Sequence, residues 1–530
     1  MTPGLDLALM RTRESTSKVR TGCSTCKARR VKCDESKPIC QRCAIGRRRC
    51  EYNTARAAPR RTVFTVYLPP QSQPTFFVNH YGLDFFHHNI ASNLNGQFDS
   101  TFWSNLVLQL SHSEPSIRHA VSAISVIYRD VESSLQQPAG YVNANEEAQN
   151  EWNTAARSLS ARIQAHPNSI LVPLVCCLLF TCIEFLTGNG ESSLLHAQSG
   201  LKILAPFRDN KQQAPGPESG LSSNDHKTIE EHVVPIFSRL NVLCSLAGII
   251  IPPVYAPTAN SNEESPQKDL GDSRQRLVEV LDLCIRFIHD AIPKAVMFQT
   301  NIGDLIEQAK LQARLEVWRN QLNKLLERMQ AAGNPTNQDA VNMLLVHYKI
   351  IYIWIRSCTT AGEMVTDSYH ADFEELVHHA EQIAKPTEMA TPQSLSFDMQ
   401  TLGPLYFTAL KCRHPEIRRR ALDMLQLAPR REGLWNAHYA YVTAKRVIEL
   451  EERDLNGQEL PNETSRICGL PLPDDEARIY SLGERPFDYR KFDRNVVPSP
   501  AYPGILEAVF QTKPWGEWGE CQKITEYIKL

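Results

Sequence analysis

Long apolar runs are scarce in this chain of 530 residues. The most apolar stretch, residues 170–186, is 17 residues long and contains Pro173 and Glu184. A membrane-spanning helix needs about 20 apolar residues, so we interpret this stretch as a buried helix. The N-terminal residues also lack the apolar core of a secretory signal. We therefore expect an intracellular protein in a reducing environment.

Familiar catalytic motifs are also missing. The sequence contains no G-x-S-x-G, HExxH or P-loop motif, and only the incomplete "GNGESS" at residues 188–193 approaches a dinucleotide-binding glycine motif. We therefore predict that the protein is not an enzyme. An enzyme with a DNA-targeting head would require a catalytic pocket elsewhere in the chain.

The formal net charge of only −2 hides an asymmetry along the chain. Residues 1–61 contain 16 Lys or Arg and 5 Asp or Glu, whereas the rest of the chain contains 41 basic and 54 acidic residues. A compact basic head on an acidic body indicates that the head alone binds a polyanion.

Histidine is absent before His80, whereas six of the fifteen cysteines lie within residues 22–50. The six are Cys23, Cys26, Cys33, Cys40, Cys43 and Cys50. They form two C-x2-C-x6-C halves displaced by 17 residues, so the segment is an internal repeat. Cysteines at such short spacing in a reducing compartment are typical of metal sites.

A structural zinc takes four ligands in a tetrahedron, and each half of the repeat offers only three thiolates. Two zinc ions can share six cysteines if two equivalent cysteines bridge both ions. The alternatives are a single four-cysteine site, which leaves the repeat unexplained, and three disulfides, which do not suit a reducing compartment. The pattern favours two zinc ions, which would supply most of the folding energy of so small a segment.

The run "KARRVK" at residues 27–32 places four positive charges between Cys26 and Cys33. We predict a short helix here, with its start pinned to the metal. Some of these charges would offset the negative charge of the thiolates. The remainder suit contacts with DNA phosphates, which supply affinity that is independent of sequence. Arginine can also bind guanine bidentately in the major groove.

The segment "CSTCKARRVKCDESKPICQRC", followed by Cys50, resembles the fungal six-cysteine binuclear zinc cluster of transcription regulators. The resemblance implies two Zn(II) ions held by all six cysteines, with Cys23 and Cys40 bridging. It also implies a basic first helix that reads a short G/C-rich triplet of double-stranded DNA in the major groove.

The same resemblance assigns roles by position. Arg29 and Arg30 would contact bases, and Lys27 and Lys32 would contact flanking phosphates. Pro38 matches the loop proline of the family. Many members continue into a coiled coil, but here the continuation is rich in proline and has no heptad repeat. Dimerisation elsewhere, or basic arms that lengthen the footprint on DNA, remain alternative routes to specificity.

The remaining chain shows helical periodicity broken by polar loops. We predict a mostly α protein whose domains are a disordered basic arm at 1–20, the zinc cluster at 21–52, a linker at 53–75, an all-α regulatory domain at 76–455 and an irregular Pro-rich segment at 456–530. Within the body we expect single helices at 169–206 and 404–453, and disordered loops near 208–225 and 252–272. "FDSTFWSNLVLQLSHSEPSIRHAVSAIS" is similar to the start of the regulatory region of fungal regulators.

One predicted helix, residues 304–331, carries apolar residues at heptad spacing: Leu311, Leu315, Trp318, Leu322, Leu325 and Met329. The seam is shorter than three heptads, so we interpret it as the core face of a packed helix rather than a coiled coil. Cys176, Cys177, Cys182, Cys244 and Cys284 lie in apolar helical stretches, and we expect buried thiols there.

These observations predict a nuclear, sequence-specific DNA-binding transcription regulator. Its partners would be G/C-rich duplex sites, the transcription machinery and a second copy bound through the helical body, with no membrane. The alternative is a zinc-stabilised protein-interaction scaffold with only non-specific affinity for nucleic acid.

Overall fold

The structure is a computed structural model, and it describes the following residues: 22–29, 31–51, 80–96, 98, 101–133, 145–209, 223–246, 265–384, 395–428, 431–455, 463–482, 505–514 and 519–529. The chain divides into two compact units, Met1–Pro69 and Pro70–Leu530. The predicted basic arm at 1–20 and linker at 53–75 lie outside the described residues.

The first unit contains two short helices, α1 (Ser24–Ala28) and α2 (Gln41–Ile45). Each helix begins directly after an equivalent cysteine of the repeat, Cys23 or Cys40, in extended backbone. The buried side chains of this unit are cysteines, and Val31 is half-buried beside them. Because so little apolar surface is buried, ordinary hydrophobic packing cannot hold the described part of this unit together.

The second unit begins with a group of helices packed around one apolar core. They are α3 (His80–Phe85), α4 (Ala91–Asn95), α5 (Val107–Ser113), α6 (Pro115–Ser133), α7 (Glu146–Ala165), α8 (Leu171–Thr187), α9 (Gly190–Asp209), α10 (Ser223–Thr228) and α11 (Val234–Leu246). Wider π-helical turns at Phe86–Ile90, Phe102–Leu106 and Ile229–Val233 join α3 to α4, precede α5 and join α10 to α11.

Helix α8 lies at the centre of this first core, and nearly all of its side chains are buried. Apart from Ile170, which caps its start, it contains the apolar stretch predicted to be a buried helix. Within the described residues, the structure contains no helix of the length and apolar character needed to cross a membrane. The single helix predicted at 169–206 is wrong, because Gly188 adopts a left-handed conformation (φ +77°) and ends α8 before α9 begins.

A second core lies between α12 (Leu270–Val296), α13 (Ile302–Ala331) and α14 (Gln338–Ser357). The heptad seam of α13 faces this core: Leu311, Leu315, Trp318, Leu322 and Leu325 are buried, and Met329 packs partly buried against them. The seam therefore belongs to the unit's own core, as predicted. The five cysteines predicted to be buried thiols are also buried.

A third core contains α15 (His370–Ile383), α16 (Leu402–Lys411), α17 (Pro415–Leu427) and α18 (Ala437–Glu451). A 3-10 helix, Glu363–Tyr369, precedes α15. The single helix predicted at 404–453 is wrong. Pro415 starts α17 as its first residue, and a two-residue hairpin, β1 (Arg431–Glu432) and β2 (Trp435–Asn436), separates α17 from α18.

The C-terminal part corrects the prediction of an irregular segment at 456–530. It contains α19 (Glu463–Cys468) and an antiparallel sheet of β3 (Ile479–Leu482), β4 (Ile505–Thr512) and β5 (Gln522–Lys529). Alternate residues of β4, namely Leu506, Ala508 and Phe510, are buried, and the latter two pack with Val447 of α18. This period of two is the ordinary pattern of a strand with one buried face.

The predicted disordered loops lie mostly outside the described residues. Their edges differ from the prediction, because α9 extends to Asp209, α10 begins at Ser223 and α12 begins at Leu270. The side chain of Asp269 caps α12 by accepting a hydrogen bond from the Asp272 N–H at 2.8 Å.

Two groups of buried charges connect separate elements of the helical body. The Asp398 carboxylate accepts hydrogen bonds from Arg239 of α11 at 2.8 Å and Arg274 of α12 at 2.7 Å. In the third core the Glu451 carboxylate accepts hydrogen bonds from Arg413 at 2.9 Å and Arg418 at 2.8 Å, and all three side chains are 0% exposed. Buried charges require such partners because unpaired ones are costly.

Candidate zinc and DNA-binding site

The structure gathers the thiols of both halves of the repeat. Cys23, Cys26, Cys40 and Cys43 are buried, and their Sγ atoms all lie within 4.8 Å of one another. Among the residues that the structure describes, groups of three or more ligand-type side chains this close occur only in this segment.

The sulfur separations fit a shared zinc centre. Cys23 Sγ lies 3.7 Å from Cys40 Sγ and 3.8 Å from Cys43 Sγ, and Cys26 Sγ lies 3.7 Å from Cys40 Sγ. A tetrahedral zinc with Zn–S bonds of about 2.3 Å places its sulfur ligands about 3.8 Å apart. The donor set and its spacing therefore suit zinc.

The remaining two cysteines lie half-buried at the edge of this group. Cys33 Sγ accepts a hydrogen bond from the Glu35 N–H at 3.4 Å, and Cys50 Sγ accepts one from the Cys40 N–H at 3.3 Å. A Cβ added to Gly22 would lie 2.9 Å from Cys33 Cβ. Because Gly22 has no side chain, Cys33 can approach the backbone directly before Cys23 closely.

The thiols of Cys23 and Cys26 have pKa values shifted in opposite directions. Burial acts to raise the pKa of Cys23, but the hydrogen bond from the Cys26 N–H and contacts with neighbouring thiols lower it to about 6. Burial is the largest effect at Cys26 and raises its pKa to about 12. A zinc ion would favour the thiolate form of each ligand and so displace the remaining protons.

Asp34 links the two halves of the repeat, a role that was not predicted from the sequence. Its carboxylate accepts hydrogen bonds from the Ser36 hydroxyl and from the N–H groups of Gln41 at 3.0 Å and Arg42 at 3.4 Å. These bonds hold the pKa of Asp34 well below its usual range. The sequence did carry a signal for this cap, because aspartate is a preferred capping residue and Asp34 lies a few residues before the second helix.

The end of the cluster is tied back to α1 by backbone and hydroxyl hydrogen bonds. The Ser24 N–H and hydroxyl both donate to the Glu51 carbonyl, at 2.9 and 2.7 Å, and the Thr25 hydroxyl donates to the Arg49 carbonyl at 2.7 Å. These contacts bring Cys50 back beside the first helix.

The basic run extends beyond the first helix. Helix α1 contains Lys27 and ends at Ala28, so the helix predicted for the run covers only its beginning. Lys27, Arg29 and Lys32 are exposed, while Arg30 lies outside the described residues. The structure therefore holds three of the four predicted DNA-contacting side chains at the surface of a cysteine-centred unit.

Comparison with known proteins agrees with this geometry. Residues 21–59 match the family described as the fungal Zn(2)-Cys(6) binuclear cluster domain, and residues 79–276 match the fungal specific transcription factor domain. The chain carries both domains of a fungal zinc cluster transcription regulator. The resemblance stated from the sequence is confirmed, and both domains belong to transcription regulators rather than enzymes.

Curated relatives are regulators as well. The aspercryptin biosynthesis cluster-specific transcription regulator atnN of Emericella nidulans is 24% identical over 413 residues, which is 72% of this chain and 67% of that protein. Transcription regulator lscL of Purpureocillium lilacinum is 26% identical over 210 residues, 34% of this chain and 48% of that protein. The lysine biosynthesis regulatory protein LYS14 of Saccharomyces cerevisiae is 61% identical over 33 residues, 6% of this chain and 4% of that protein. No solved structure matches the chain.

The two domains place zinc binding, DNA binding and transcription regulation in this chain. The Zn(2)-Cys(6) match covers the whole cysteine repeat, and the regulatory match begins just before α3 and ends within α12. The second and third helical cores lie mostly or wholly beyond the matched region.

Proposed function

We propose that the protein is a nuclear transcription regulator whose zinc cluster reads short G/C-rich triplets in the major groove of DNA. The observation that carries this proposal is the close group of cysteine sulfurs at the spacing of zinc ligands, with an exposed basic run beside it. The basic runs around the cluster would also act as nuclear import signals.

The proposed centre contains two Zn(II) ions and uses all six cysteines. Cys23 and Cys40 bridge the ions, and the separation of 3.7 Å between their sulfurs supports a shared position. Cys26 and Cys33 would complete one tetrahedron, while Cys43 and Cys50 would complete the other. Zinc would supply structural cross-links in place of a hydrophobic core.

The rigid cluster would present the basic run to the duplex. Lys27 and Lys32 would contact phosphates, which orient the protein without reading sequence. Arg29 and Arg30 would reach guanine O6 and N7, and each bidentate pair discriminates against the wrong base by about 1–3 kcal/mol. A single triplet therefore gives limited specificity, so a second copy bound through the helical body would extend the site.

The helical body would carry regulation and contacts with the transcription machinery. We propose the zinc cluster at 21–52 and the regulatory body from residue 76 as separate functional parts. This division agrees with the two compact units of the chain.

Selection of bound duplexes from a random pool, with the zinc-loaded full chain, tests the proposal. We expect enrichment of G/C-rich triplets. Arg30→Ala should erase that preference more than it lowers affinity for an unrelated duplex. Arg42→Ala removes an exposed charge from α2, and should weaken all duplexes alike and reduce the salt dependence.

Two outcomes would contradict the proposal. Equal loss on every duplex with Arg30→Ala would favour a scaffold with non-specific affinity. Metal analysis that returns one zinc ion per chain, or none, would overturn the binuclear centre.

A further inference from the structure

Helix α13 has a second apolar face, which points to solvent. Ile302, Leu305, Ile306 and Val317 are 76%, 48%, 52% and 40% exposed, and Ala309 and Ala313 are also exposed. We call these six residues the α13 stripe. Five of them, Ile302, Ile306, Ala309, Ala313 and Val317, recur at intervals of three or four residues, which align along one face of a helix.

The stripe is not part of the unit's own core. The opposite face of α13 supplies Leu311, Leu315 and Trp318 to the second core. Met297 and Phe298, 66% and 47% exposed, extend the apolar surface into the turn before α13. Contiguous exposed apolar surface of this kind is typical of interaction sites.

We propose that the α13 stripe is the surface through which two copies of this chain pair, with their α13 helices antiparallel about a twofold axis near Ala309. This inference rests on the proposed homodimer and assigns its interface. In this register Ile302 faces Val317 of the second copy and Ile306 faces Ala313, so the axis passes between positions 309 and 310. The Ala309 side chains of the two copies then lie next to each other.

The order of side-chain sizes along the stripe supports this pairing. The bulky Ile306 lies opposite the small Ala313, so large and small side chains can interdigitate at both symmetric positions. The two alanines near the axis allow the helices to approach closely. A surface that is complementary to itself in this way suits the isologous contact of a twofold dimer.

The charges beside the stripe also favour a second copy. Glu307 and Lys310 flank it, both are more than half exposed, and they pair with each other at 3.1 Å. In this register the Lys310 side chains of the two copies are adjacent at the axis, and Glu307 of each copy lies within one turn of Lys310 of the other, so each lysine has a carboxylate of the second copy beside it. Asp304 adds no unpaired charge, because it is buried and Lys294 Nζ lies 2.8 Å from its carboxylate. Flanking charge pairs of this kind set the orientation of paired helices.

Sedimentation velocity of the zinc-loaded full chain over a range of concentrations tests the interface. We expect a dimer for the natural chain. Ile306→Glu should raise the dissociation constant by about tenfold or more, because it places two carboxylates in the apolar contact. Gln330→Glu adds the same charge to an exposed position of α13 outside the stripe and should leave the dimer intact.

Cross-linking tests the register. Ala309→Cys, in a chain whose exposed Cys521 is replaced by serine, should form an intermolecular disulfide on mild oxidation. Gln330→Cys in the same background should not. Circular dichroism checks that each variant keeps its helical content, which is expected because the altered side chains are exposed.

A natural chain that stays monomeric, or a dimer that Ile306→Glu leaves unchanged, would overturn the inference. Equal cross-linking at both cysteines would overturn the register. None of these results affects zinc-dependent binding of a single triplet, which is measured separately by duplex selection. Failure of the interface is therefore distinguishable from failure of the proposed function.

Discussion

Replacement of Glu451 by glutamine should strongly destabilise the third core. The Glu451 carboxylate lies between Arg413 and Arg418, and none of the three side chains is exposed. It also accepts a hydrogen bond from the Ile479 N–H at 2.8 Å, which joins β3 to α18. Glutamine keeps the shape, but it removes the charge and directs an amide donor at a group that can only donate.

The expected loss of stability depends on the ion pairs that Arg413 and Arg418 keep in the variant. Breaking a buried ion pair costs roughly 3–5 kcal/mol, and here two pairs are broken. Arg413 retains Glu363 at 2.9 Å, and Arg418 retains Glu452 at 3.3 Å, so neither guanidinium is left alone. We therefore expect a total loss of about 3–5 kcal/mol rather than twice that, which is a large part of a typical folding free energy of about 5–15 kcal/mol.

Urea unfolding followed by circular dichroism measures this loss. Glu449→Gln is the matched control on the same helix, because Glu449 is 47% exposed and pairs with Arg446 at the surface. Its loss should be below about 1 kcal/mol. If Glu451→Gln destabilises the protein no more than Glu449→Gln does, the assignment of this buried pair as a main stabilising contact is wrong.

The pH dependence of folding stability provides a second check on the role of Glu451. Although burial acts to raise its pKa, the two guanidinium groups lower it to about 2, from an ordinary value of 4.5. A depressed pKa in the folded state contributes stability above pH 4.5 that is lost as the pH falls towards 2. The difference in stability between the natural chain and Glu451→Gln should therefore narrow over that range.

Three further predictions concern the first core and the zinc centre. Burial raises the pKa of Glu184 to about 7 from 4.5, so the natural chain loses stability as the pH rises between these values. In urea unfolding at pH 8, Glu184→Gln should therefore be more stable than the natural chain by about 1–3 kcal/mol, and equal stability would contradict this. Gly200→Ala places a Cβ 2.3 Å from the Phe237 ring and should lower the free energy of unfolding by about 1–3 kcal/mol. An unchanged melting temperature would contradict this, because it would show that the ring moves aside freely. In the proposed centre of two zinc ions, Cys40→Ala should release both ions, whereas Cys33→Ala should release only one. Identical metal contents of the two variants would argue against a bridging Cys40.

The zinc centre could be predicted from sequence because its chemistry depends on residue type at short spacing. The cysteine repeat lies within a single segment, so no long-range fold was needed to predict that its members meet. The role of Asp34 was missed because its hydrogen bonds to the N–H groups of Gln41 and Arg42 depend on where the second helix begins. The sequence alone does not fix that position.

The body was predictable in outline for a similar reason. Helical periodicity identified the core face of α13, from Leu311 to Leu325, but not the breaks at Gly188 and before Pro415. Strand β4 was missed because the alternation of Leu506, Ala508 and Phe510 is short and lies among proline-rich sequence. Its pairing with β5 becomes visible only in the structure.

The sequence by itself determined the metal-binding chemistry, the basic surface beside it and the helical character of the body, because each follows from residue type and local spacing. Only the tertiary structure decided which charges are buried together and which apolar faces stay exposed. Glu451 meets Arg413 and Arg418 across 38 and 33 residues of chain, and the α13 stripe is recognisable only once the opposite face of the helix is seen to fill the core. Such properties depend on how helices pack, which no local pattern specifies.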